Sequence, residues 1–164
     1  MVFEDDLQFG REAEEYVLEM LKQTEWPDSK LNDSEDYECR KAYDIINSEF
    51  TVEVKYDRKA ADTGNIFIET RCNQVASGLA GTKADFWVHV IEEGAWGARV
   101  DRLRELVDRD ISVHGSIKSM AGDGMRVEGI VFSKGWMATN LKRIGYPDNS
   151  FFHSDIVSLF YKST

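Results

Sequence analysis

The chain has 164 residues, 42% hydrophobic and 30% charged, with a net charge of −10. This is the size of one globular domain, residues 1–164, and too little for two. No apolar run approaches the ~20 residues of a membrane span, and the start, Met1-Val2-Phe3-Glu4-Asp5-Asp6, lacks the basic flank of a signal peptide, so a cytoplasmic protein with no membrane partner is expected. Cys39 and Cys72 are isolated and His89, His114 and His153 are scattered, which argues against a disulfide framework and against zinc. The acidity argues against tight, sequence-independent duplex binding, which gathers Lys and Arg against phosphates. Its distribution is uneven: residues 1–49 carry 15 Asp or Glu and 5 Lys or Arg, whereas residues 50–164 carry 15 of each.

In chain order, Glu12 to Gln23 reads as an amphipathic helix. Ala13, Tyr16, Val17, Met20 and Leu21 fall at the spacing of a buried stripe, with Glu14 on its margin. Asn32-Asp33-Ser34-Glu35-Asp36 reads as an acidic loop. A short hairpin follows, with Asp44 in an apolar run before its turn and Phe50 to Tyr56 after it. Side chains alternate across a strand, so Thr51, Glu53 and Lys55 share one face while Val52, Val54 and Tyr56 share the other. Asp44, Glu53 and Lys55 brought together make two oxygen ligands and one ammonium, the parts that hold a hard divalent cation beside a phosphodiester.

Asn65 to Thr70 reads as a third strand, with Ile66, Ile68 and Thr70 on one face and Phe67 and Glu69 on the other. Gln74 to Lys83 forms a helical or irregular connector, and Ala84 to Ile91, rich in β-branched and aromatic residues, reads as a central strand. His89 within it is read as a satisfied strand residue. Asp101 to Asp110 has helical spacing, with Asp101 as its cap. Ile111–Ser119 and Met125–Ser133 read as strands around a turn at Ala121-Gly122-Asp123-Gly124. Gly135 to Arg143 is a short helix or a loop, Pro147-Asp148-Asn149 a turn, and 155–161 a closing strand or helix.

The acid, the hairpin and the following Glu53-Val54-Lys55 resemble the signature of the PD-(D/E)XK nuclease superfamily, with Tyr43 in place of the family's proline. Two further pieces resemble phage, bacterial and Holliday-junction-resolvase-like members: Gly10-x-x-x-Glu14 on an early helix, and Glu69-Thr70 followed by Ser77-Gly78-Leu79 and Thr82-Lys83-Ala84-Asp85-Phe86-Trp87-Val88. The resemblance spans roughly residues 7 to 92. It implies an α/β fold with a restriction-endonuclease-like αβββαβ core, a mixed central sheet flanked by helices, here carrying a β-rich C-terminal extension. It further implies Mg²⁺ or Mn²⁺ held by Asp44, Glu53, the Val54 carbonyl and Glu69, with Lys55 and Glu14 completing the catalytic set.

The expected activity is metal-dependent DNA hydrolysis, probed by Arg58, Lys59, Arg71 and Lys83 as the local DNA-binding cations. The competing expectation is a nuclease fold without catalysis that binds another protein through its acidic N-terminal half. A homodimer is compatible with either.

Overall fold

The computed structural model describes residues 2–122 and 124–161. Helix α1 (Val2–Lys22) buries Ala13, Val17, Met20 and Leu21, the stripe expected from the spacing, and starts well before Glu12. Strand β1 (Lys30–Leu31) and helix α2 (Tyr37–Ala42) follow. Asp36 caps α2 by accepting the N–H groups of Glu38 and Cys39, donors that a first helical turn leaves unpaired. Strands β2 (Ile45–Ile46) and β3 (Thr51–Tyr56) make the expected hairpin. Asn47 closes its turn by accepting from the N–H groups of Glu49 and Phe50.

A single helical turn, α3 (Ala60–Thr63), leads into β4 (Asn65–Cys72), β5 (Val75–Ala76) and a second single turn, α4 (Gly78–Gly81). Strands β6 (Phe86–Ile91) and β7 (Gly94–Arg99) form a hairpin, followed by α5 (Val100–Asp110). Asp101 lies inside the first turn of α5 rather than at its cap, where Arg99 stands without a capping hydrogen bond. Strands β8 (Ser116–Gly122) and β9 (Met125–Ser133), helix α6 (Lys134–Asn140), strand β10 (Lys142–Gly145) and helix α7 (His153–Phe160) complete the chain. Asp123, at the tip of the expected β8–β9 turn, lies outside the described residues. Among the described residues no helix is long and apolar enough to cross a membrane.

The expected mixed sheet is present, with six strands in the order β1-β2-β3-β6-β7-β10. Among the described residues its one parallel pair is β3–β6, which sets Glu53 against Trp87 and Lys55 against His89. The third strand departs from expectation. β4 joins a separate antiparallel sheet, β5-β4-β9-β8, built with the C-terminal extension. The reason lies in the strands themselves. β6 is buried along its whole length, as an apolar run suits a strand covered on both faces, and it takes the free edge of β3. β4 buries Ile66 and Ile68 but leaves Phe67 and Glu69 half-buried, the pattern of a strand covered on one face, and it pairs along its length with β9.

Two cores result, one on each face of the six-stranded sheet. Phe86, Val88 and Val90 of β6 meet α1, α7 and the Trp26–Phe50–Phe160 aromatic cluster. Trp87 and Ile91 meet Ile66, Ile68, Ile130 and Phe132 of the second sheet together with α5 and α6. Glu53 and Lys55 project toward this second side, so the candidate site lies where the two sheets come together.

Candidate active site

Asp44 is fixed before its side chain is considered. Its N–H donates to the Val52 carbonyl at 2.9 Å and its carbonyl accepts from Asn32 N–H at 2.8 Å. The β2–β3 ladder pairs Ile45 with Val52 and Ile46 with Thr51 and goes no further, which leaves the Val54 N–H in need of an acceptor. Asp44 Oδ2 supplies it at 2.8 Å. The carboxylate is thereby held along the edge of β3, next to the residue between Glu53 and Lys55. Burial pushes the Asp44 carboxyl above the usual range, against the opposing pull of the Val54 N–H and of Lys55.

Glu53 is 7% exposed. One oxygen pairs with Lys55 Nζ at 3.3 Å and the other lies 3.1 Å from the Thr82 hydroxyl. That hydroxyl also accepts from Ala84 N–H and reaches the Ala42 carbonyl at 3.2 Å. It has one proton for two acceptors, and because the Ala42 carbonyl already accepts from Lys83 N–H at 3.0 Å, that proton is available to Glu53. Burial first, then the Asp44 charge, raises Glu53 to about 7 although Lys55 and Thr82 pull the other way. Glu14, half-buried on α1, is likewise raised to about 7, by burial and then by Asp44, with Lys55 and Arg11 opposing. Glu15 beside it is exposed.

Burial pulls the Lys55 ammonium down, but Glu53, Asp44 and Glu69 together outweigh it and hold its pKa above normal. Lys55 is therefore a cation at neutral pH, in contact with Glu53 and within electrostatic reach of Glu14 on α1, Asp44 before β2 and Glu69 on β4. Glu69 is set by its own supports. Ser77 Oγ donates to Glu69 Oε1 at 2.7 Å, and Gly78 passes so close that an added Cβ would lie 2.2 Å from the Glu69 carbonyl oxygen. Gly78 also has φ +51°, a region that costs other residues about 1–2 kcal/mol.

A second polar group, not anticipated from sequence, adjoins Lys55. Trp87 Nε1–H donates to His89 Nδ1 at 3.3 Å, so the imidazole carries its proton on Nε2 and donates to Asp57 Oδ2 at 3.2 Å. The same oxygen accepts Phe67 N–H at 2.7 Å. Burial works against the Asp57 charge, but these hydrogen bonds outweigh it and hold the carboxyl below its usual range. The group joins β6, the end of β3 and β4, and so sets the spacing of the two sheets behind Lys55.

In front lies a cleft of about 570 Å³, reached by Lys55, Glu69 and His89 and flanked by Arg58, Lys59 and Lys118. Arg58 and Lys59 were expected to contact DNA, and Lys118 was not. Arg71 and Lys83, the other two expected cations, are exposed and lie outside the cleft lining. Thr82, Ser77 and Gly78 fall in the segment whose resemblance was noted, but their roles as supports needed the tertiary structure. Nothing in the sequence singles out Lys118, which reaches the cleft only because β8 folds against β9.

Among the described residues no three His, Cys, Asp or Glu side chains gather into a metal-holding group. A donor set at this site would consist of Asp44, Glu53, the Val54 carbonyl and water. That set fits Mg²⁺, which keeps several waters and is bound through one or two carboxylates. No family model, curated protein or solved structure matches the chain.

Proposed function

We propose that the chain is a divalent-metal-dependent deoxyribonuclease, acting as an endonuclease through Asp44, Glu53, Lys55 and Glu14. The observation that supports this best is the crowding of Glu14, Asp44 and Glu53 around Lys55, with two of the three carboxyls pushed up to about 7. Like charges brought together at ~4 Å repel by about 1–4 kcal/mol at effective dielectrics of 80 to 20. Lys55 offsets part of this, and the upward shift that remains in Glu14 and Glu53 is what a divalent cation or a proton would relieve.

Asp44, Glu53 and the Val54 carbonyl would hold Mg²⁺ or Mn²⁺, hard ions that prefer oxygen donors, with Glu14 and Glu69 acting through waters. When bound, the ion supplies a water of lowered pKa and charge stabilisation at the phosphate. Lys55 presents its ammonium to the phosphoryl oxygens or to the attacking water. The Val54 N–H orients Asp44, Thr82 orients Glu53, and Ser77 orients Glu69, so the carboxylates are preorganised before substrate arrives.

The test is cleavage of plasmid, linear, single-stranded and branched DNA with Mg²⁺, with Mn²⁺ and with chelator. Metal-dependent cleavage lost in Asp44→Asn is the expected result. Absence of cleavage on every substrate by folded wild type would leave the protein-binding reading, which the net charge of −10 favours.

A further inference from the structure

The cleft in front of Lys55 is not acidic, although the chain is. Its lining carries four cations against three carboxylates in a chain of net charge −10. Two of those three carboxylates are already engaged, Asp57 by His89 and Phe67 N–H and Glu69 by Ser77. So are two of the cations, Lys55 with Glu53 and Arg58 over the Phe9 ring, so Lys59 and Lys118 are the cations that matter for a ligand. Between the cations the walls are apolar, with Phe67, Met120 and Val131; the Tyr56 ring turns to the other face, where it stacks on Phe9. Phe67 has a defined seat. Its ring occupies the space above Gly129 on the neighbouring strand, where an added Cβ would lie 2.5 Å from Cζ, and it is half-buried at the cleft wall.

Cations that track a backbone, beside an aromatic ring that a base can stack on, are the attributes of single-strand recognition, and here Phe67 supplies the ring. Size points the same way. A volume of about 570 Å³ lies in the ~300–1,000 Å³ range of sites that take one small ligand, the scale of a single nucleotide. A duplex would have to open to place a nucleotide there, and unstacking and unpairing cost a few kcal/mol that an unpaired strand does not incur.

We propose that this cleft seats an unpaired nucleotide, its base against Phe67 and its phosphates toward Lys118 and Lys59, and so directs the Lys55 centre to single-stranded DNA or frayed ends. The inference rests on the nuclease reading and names its substrate class. The experiment measures binding with Ca²⁺ present, using a labelled single strand, the same strand in a blunt duplex, and a duplex with an unpaired overhang. Wild type is compared with Lys118→Ala, Phe67→Ala and Phe67→Leu. The leucine variant retains apolar bulk in the wall but removes the π face, so a folding defect in Phe67→Ala does not obscure the result.

The expected result is single strand and overhang bound at least tenfold more tightly than blunt duplex. Phe67→Leu should lose about five- to a hundredfold on the single strand and little on the duplex. Lys118→Ala should make the salt slope on single strand shallower by about 0.7. Equal or tighter binding of blunt duplex, or full single-strand affinity in folded Phe67→Leu, overturns the assignment while leaving the nuclease reading intact. No binding to any of the three DNAs, together with no cleavage by wild type, overturns both.

Discussion

Lys55 is the residue on which the proposed chemistry turns, and its packing makes it separable from stability. Its side chain is 36% exposed and its partner is Glu53 two residues away on the same strand face, so its removal takes little from either core. Lys55→Ala should therefore still fold, keeping most of its melting temperature at pH 5.5, where protonation of the carboxyls offsets the lost cation, and losing some at pH 8. It should nevertheless lose cleavage by about two orders of magnitude or more, the scale of deleting one charge-stabilising group. Cleavage at the wild-type rate by folded Lys55→Ala would end the assignment. The carboxyls give a second, activity-independent test. Glu14 and Glu53 are raised from 4.5 to about 7, so between those values the folded protein binds more protons than the unfolded chain. Stability contributed by their neutral forms is complete below about pH 4.5 and is lost as pH rises through about 7. Asp57, held down by His89 and Phe67, has the opposite sign: its contribution is complete above its ordinary value of 3.8 and is lost as pH falls below it, so it does not vary between pH 5.5 and pH 8. Without divalent ion, the melting temperature should fall from pH 5.5 to pH 8. Mg²⁺ should restore it at pH 8 and do little at pH 5.5, by mass action on the ionised site. Asp44→Asn should remove most of the Mg²⁺ effect; an equal Mg²⁺ shift in wild type and mutant would place the ion elsewhere.

At the scale of elements, the site was legible where one strand or helix carries its own pattern. Alternation along Thr51–Tyr56 placed Glu53 and Lys55 on a common face, opposite Val52 and Val54, and the buried stripe of α1 left Glu14 at its margin. What could not be read was pairing. β4 reads as a strand in isolation, but its half-buried Phe67 and Glu69 suit a second sheet, and only the length of β9 decides the partner. β7 was missed because Gly94, Ala95, Gly97 and Ala98 belong to types depleted in strands. They are small because neighbours close in: an added Cβ on Gly97 would lie 2.5 Å from Leu159 Cδ2 of α7. β10 was hidden for a related reason, being four residues long at the sheet edge beyond α6. The α4 turn shows how an element with almost no pattern of its own serves the site. Gly78→Ala introduces both a side chain at positive φ and a contact with the backbone of β4. It should cost about 2 kcal/mol or more, and by displacing Glu69 and Ser77 it should lower activity as well. A melting temperature unchanged by Gly78→Ala would mean that the close approach of α4 to Glu69 is not maintained in solution.

For the whole molecule the governing quantity is charge. A protein at −10 repels DNA at long range, and the two candidate cations at Arg71 and Lys83 lie away from the cleft lining, so few phosphates are neutralised together. Arg58, Lys59 and Lys118 at the cleft set the scale at two to four contacts. On a single strand each contact contributes about −0.7 to the slope of log affinity against log salt, which gives a total of roughly −1.4 to −3. Screening shortens the reach of the acidic surface to ~8 Å at physiological salt, so moderate salt weakens the repulsion as well as the contacts and keeps the slope shallow. A divalent ion changes the balance differently, because it lies between carboxylates and phosphate and is attracted to both. Ca²⁺ should therefore strengthen binding in wild type, and Asp44→Asn, which removes one of the two anionic ligands, should abolish most of the gain. A slope steeper than five contacts would mean that a basic surface other than this cleft dominates. Binding indifferent to Ca²⁺ in both proteins would mean that no ion joins the two negative partners, and the acidic surface would then be better explained as a face for another protein.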